Sequence, residues 1–111
     1  MDLSRTYDVL MALNREAFAA GRYEIAYHAL EAALWSAEGL GDDRRLAQVQ
    51  ALAAEQGAWI DANAPGHRLS SHSALGRTTQ GVFASCARSA DALLAGLRAR
   101  RLQQKLAGPG G

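Results

Sequence analysis

β-Branched residues are scarce, with three Val, two Ile and three Thr among 111 residues, and there are only two prolines and one cysteine. So few strand-favouring side chains argue against a β-sandwich, and so few prolines leave long helices unbroken. A lone thiol, Cys86, forms no disulfide within the chain, so a disulfide-stapled scaffold is excluded. The longest uninterrupted aliphatic run is Val9–Leu13, far short of the roughly 18 residues a membrane span requires. The opening Met-Asp-Leu-Ser-Arg lacks the basic and apolar regions of a secretory signal, and the expected location is cytoplasmic. What the chain does have is 24 Ala and 15 Leu, a composition that predicts helix almost throughout. Its length suits one domain with a packed core, expected over residues 1–107 with a disordered tail at 108–111.

Charge is split along the chain. Residues 1–63 hold five Lys/Arg and ten Asp/Glu, a balance of −5, and residues 64–111 hold seven Lys/Arg and one acid, Asp91, a balance of +6. The two halves attract when they pack, or the basic half offers a surface to an acidic partner or a nucleic acid. The cations Arg98, Arg100, Arg101 and Lys105 are not interleaved with aromatic rings, unlike a nucleic-acid stacking platform, so internal attraction is the preferred reading.

Apolar spacing predicts four helices. The first covers about 3–20, capped by Asp2 or Ser4, with a stripe of Leu3, Tyr7, Leu10, Leu13, Ala17 and Phe18, and stops at Gly21. A second helix over 22–38 carries Tyr23, Ala26, Tyr27, Leu30, Ala33, Leu34 and Ala37 and ends at Gly39-Leu40-Gly41. Asp42 and Asp43 open the third, whose face is Leu46, Val49, Leu52, Ala53, Gln56, Trp59, Ile60 and Asn63, with Pro65-Gly66 as terminator. After a connection anchored by Leu69, a fourth helix is expected from Ser71 or Ser73 to about Lys105. At 1.5 Å per residue its roughly 33 residues would span roughly 50 Å, longer than the other three. It therefore bends or breaks near Gly76, Gly81 or Gly96, or its last turns project. The leucines there (Leu93, Leu94, Leu97, Leu102 and Leu106) either wrap the bundle or meet a partner, most simply a second copy.

Leu10-x-x-Leu13, Ala17, Gly21-x-Tyr23, Ala26, Leu30 and Ala33 together resemble one tetratricopeptide repeat over about residues 7–40. That resemblance implies a helical hairpin with small residues at the helix approach, and protein binding rather than catalysis. A lone repeat needs a second layer, so the expected all-α fold is two stacked antiparallel hairpins with a long C-terminal helix.

The candidate chemistry is thin. His28, His67, His72 and Cys86 lack the spacing of a metal site, Gly39-x-Gly41 lacks the context of a phosphate loop, and no cofactor is called for. Cys86 reads as a buried small hydrophobe within Val82–Ala87. Arg22-x5-His28 is similar to the Arg/His motif of the HEPN family, which includes metal-independent ribonucleases. The resemblance implies His28 as general acid/base and Arg22 steadying charge on phosphorus. The preferred reading is a non-enzymatic protein–protein interaction module, possessing a partner surface of Leu94, Leu97, Arg98, Arg101 and Leu102. Trp35, off the second helix's apolar stripe, is a second anchor.

Overall fold

The computed structural model describes residues 2–73 and 81–108, and among these the protein is helical without strands. Helix α1 spans Leu3–Ala19, α2 Tyr23–Leu40, α3 Asp43–Asn63 and α4 Val82–Ala107. Asp2 caps α1 by accepting the Arg5 amide at 2.8 Å, and Asp42 caps α3 by accepting the Arg45 amide at 3.0 Å. Gly21 and Gly41 close α1 and α2 in the left-handed conformation the turns demand, at φ 76° and 59°.

The helices pair as two antiparallel hairpins, α1 with α2 and α3 with α4, and α2 lies against both helices of the second pair. In the first hairpin, Leu3 approaches Gly39 and Asn14 bonds the Ala26 carbonyl. In the second, Gly57 faces Phe83 and Asp43 faces Arg101. A Cβ on Gly57 would lie 3.0 Å from the Phe83 Cβ, so α3 and α4 cross closely only because that position is glycine. Leu30, Leu34, Leu46, Val49, Ile60 and Phe83 form the fully buried centre. One end is closed by rings: Phe18 lies 5.0 Å from Tyr23 and 5.5 Å from Trp59, and His67 meets Tyr23 edge-on at 5.0 Å. The expected anchor Leu69 is buried.

One expectation is corrected. The buried face of α1 is Tyr7, Met11, Asn14 and Ala17, whereas Leu3 and Leu13 are exposed. α1 reaches across to α3 as well as α2, which turns its inner face away from the leucine stripe. The Tyr7 hydroxyl donates to Gln48 Oε1 at 2.7 Å, and Asn14 meets Gln56. Of the glycines at which the fourth helix was expected to bend or break, Gly81 is where it is interrupted. Residues 71–73 form turns, the expected helix over 74–80 lies outside the described residues, and Gly81 has φ 86°. A right-handed helix does not pass through that conformation, so α4 begins at Val82 and its 26 residues span about 39 Å. Gly96 lies within α4 without interrupting it; Gly108 caps its end. Residues 98–107 are all exposed, which lengthens the Cα envelope to 57 × 31 × 17 Å.

The amides of Asn14 and Gln56 are buried and exchange hydrogen bonds: Asn14 Nδ2 donates to Gln56 Oε1 at 2.9 Å and Gln56 Nε2 donates to Asn14 Oδ1 at 2.6 Å. Asn14 Nδ2 also donates to the Ala26 carbonyl at 2.7 Å, so one side chain ties α1, α2 and α3. Asn14→Leu strands the Gln56 amide and is expected to cost about 1–3 kcal/mol in urea unfolding. Asn14→Leu with Gln56→Met should be less destabilised than the sum of the single changes; simple additivity would show the pair is not coupled.

Candidate functional site

The end of α4 is the first surface to consider. Leu94 and Leu97 are buried in the core, so the partner surface expected from sequence loses both: they already pack within their own chain. Arg101 is also engaged internally, with Nη2 donating to the Gly41 carbonyl at 2.7 Å and Nη1 3.1 Å from Asp43 Oδ2. Arg68 pairs with Glu24, a second bond between the basic and acidic halves. Arg98, Arg100 and Lys105 make no ion pair among the described residues. Leu102 and Leu106 remain 58% and 78% exposed. With the exposed Ala95 and Ala99 they follow i, i+4, i+7, i+11 spacing, which forms one stripe along the helix. That stripe lies about 100–160° around α4 from Phe83, away from the seam of Phe83, Cys86, Ala90, Leu94 and Leu97.

Trp35 is 56% exposed, as its position off the apolar stripe predicts. It borders a recess of about 270 Å³ between α2 and α4, whose other walls include Tyr27, Glu31, Ser85, Cys86 and Ser89. α4 runs parallel to α2 here, with the Phe83 and Tyr27 rings 5.8 Å apart. Tyr27, Glu31 and Trp35 therefore fall on successive turns of one helix opposite Ser85 and Ser89 on the other. The Tyr27 hydroxyl donates to Glu31 Oε2. Desolvation, then the bond and charge of Glu31, push the Tyr27 hydroxyl above its usual range. Burial and the same carboxylate raise the Cys86 thiol to about 11. Glu31, Ser85 and Ser89 were not singled out from sequence. The four-residue spacing of Tyr27, Glu31 and Trp35 was a readable sign, but nothing local indicated the serines more than fifty residues away.

Arg22 is the exposed N-cap residue of α2 and makes no side-chain cap bond. His28 is exposed, with its ring 5.1 Å from Tyr27. Six helical residues place the two about 120° apart around the axis and about 9 Å along it. No hydrogen bond, ion pair or ring contact joins them among the described residues.

The connection after α3 is held by Asp61. Its Oδ1 accepts from the Ser70 hydroxyl at 3.2 Å and the Ser71 amide at 2.8 Å, and its Oδ2 accepts from the Ser71 hydroxyl at 2.6 Å. Desolvation raises this carboxyl, but the Ser71 and Ser70 bonds and the charge of His72 outweigh it and hold it below the usual range. Among the described residues, no group of three or more His, Cys, Asp or Glu could hold a metal ion. Nor is any described helix long and apolar enough to cross a membrane.

This geometry defines an all-α fold of two helical hairpins with two exposed features, the α4 stripe and the Trp35 recess. No family model, no curated protein and no solved structure matches the chain.

Two outcomes follow from the electrostatics. The Asp61 carboxyl has a lowered folded-state pKa, so its contribution is present above its unfolded value near 3.9 and is lost as pH falls through the folded one. Urea unfolding across acid pH should show the stability gap between wild type and Asp61→Asn widest above about pH 4 and closing below it. Cys86, buried and protonated, should resist Ellman's reagent at about pH 8 until denaturant is added.

Proposed function

We propose that the chain is a cytoplasmic, non-enzymatic protein–protein interaction module that self-associates through the C-terminal turns of α4. The observation that carries this reading is the exposed stripe of Ala95, Ala99, Leu102 and Leu106 on a helix end that runs past its own bundle. Two such helices crossing antiparallel set Leu102 and Leu106 of one copy against Ala99 and Ala95 of the other. Large side chains then meet small ones in every layer. The tetratricopeptide-like reading of α1–α2 belongs to the same proposal, with that hairpin as the scaffold on which α4 is carried.

Magnitudes set the strength to expect. Burying four leucines per dimer contributes about 1.5–3 kcal/mol each, while association costs about 4–15 kcal/mol. The dimer is therefore weak and concentration-dependent. Arg98, Arg100 and Lys105 of the two copies also repel, so salt should strengthen it. This sign separates self-association from a nucleic-acid role for the same cations, where salt weakens binding.

Light scattering behind size exclusion tests the reading on the full chain. The expected result is a dimer fraction that grows with concentration and between about 50 and about 300 mM NaCl. Leu102→Glu with Leu106→Glu should give a monomer of unchanged helical content. A wild type that stays monomeric at all concentrations would overturn self-association, and a dimer that survives the double change would overturn the α4 surface.

A further inference from the structure

The recess beside Trp35 is lined by one carboxylate, two aromatic rings and two serine hydroxyls. Glu31 offers a partly buried carboxylate that makes no ion pair among the described residues. Tyr27 donates to its Oε2, which fixes the carboxylate and leaves Oε1 open. Trp35 and Tyr27 contribute aromatic surface, Ser85 and Ser89 add hydroxyl oxygens, and no Lys, Arg or His lines the recess. Cys86 keeps its proton and adds no competing charge.

We propose that this recess is a binding site for a primary alkylammonium, with Glu31 accepting its N–H groups and Trp35 and Tyr27 covering its cationic end. An aromatic wall beside a carboxylate favours a compact cation over a neutral group, because the ring faces and the carboxylate carry the same sign. An anion meets repulsion from Glu31 and finds no cationic side chain in the lining to offset it. The volume, about 270 Å³, equals roughly nine water molecules and suits a short alkyl chain with its ammonium head. A small free amine and a lysine side chain share this chemistry. The site is separate from the α4 stripe and does not depend on self-association.

The test follows backbone amide shifts of the full chain by NMR during titration with n-butylammonium chloride. Sodium chloride at equal ionic strength and n-butanol are the controls. Saturable shifts are expected around Glu31–Trp35 and Ser85–Ser89, with a dissociation constant on the order of millimolar for so small a ligand. Glu31→Gln should weaken binding about tenfold, with Trp35→Ala also weakening it. Both variants should keep the wild-type helical signal. Nα-acetyl-lysine methylamide then distinguishes the sources: saturation by it too admits a lysine side chain, and saturation by butylammonium alone restricts the site to free amines. Absence of saturable shifts, equal shifts with n-butanol, or an affinity indifferent to Glu31→Gln would overturn the proposal.

Discussion

The arrangement rests on a reciprocal amide pair. Asn14 and Gln56 lie where α1, α2 and α3 converge, and each satisfies the other while Asn14 uses its remaining N–H on the Ala26 carbonyl. Apolar contacts among Ala and Leu are indifferent to a helix sliding by one turn. Two amides with fixed donor and acceptor ends are not, because a shift of about 5.4 Å would leave both buried and unpaired. The pair thus fixes the register that puts Phe18 and Trp59 together at one end and Tyr7 against Gln48 toward the other.

From that register the division of α4 follows. Its first turns run along α2 and α3, where Phe83, Cys86, Ala90, Leu94 and Leu97 complete the core. The bundle ends near the α2–α3 turn, and Arg101 fastens α4 there through Asp43 and the Gly41 carbonyl. Beyond that attachment the helix is exposed all round among the described residues. The same side-by-side run of α2 and α4 opens the recess at Trp35, because serines at 85 and 89 leave room where larger residues would have closed it.

Much of this was legible in the residues. Alanine and leucine announced helices, Gly21 and Gly41 marked two stops, the acidic caps marked two starts, and the faces of α2 and α3 followed from spacing, apart from exposed Trp59 and Asn63. The face of α1 was not legible. An asparagine reads as surface until its partner is known, and that partner lies 42 residues away. The start of α4 was hidden for a similar reason. Gly76, Gly81 and Gly96 look alike locally, and it is the packing of Gly81 against Ser71 that accompanies its left-handed backbone. The exposure of Trp35 was readable because it departs from a clear stripe. Leu94 and Leu97 were misplaced because α4 carries two apolar seams, and sequence spacing does not say which faces inward.

The turns have a consequence for how the chain folds. α1–α2 and α2–α3 are joined by three and two residues, so their pairing closes only short loops. α4 reaches α3 only after residues 64–81, and by loop-length scaling that closure costs about 2 kcal/mol more. α3 packs more extensively on α4 than on α2, so most of its burial waits for that closure, while α1 and α2 pair without it. The order implied is an α1–α2 hairpin that forms first, with the α3–α4 pair completed after it. Whatever α4 carries at its free end is thus presented only by a chain whose first hairpin is already in place.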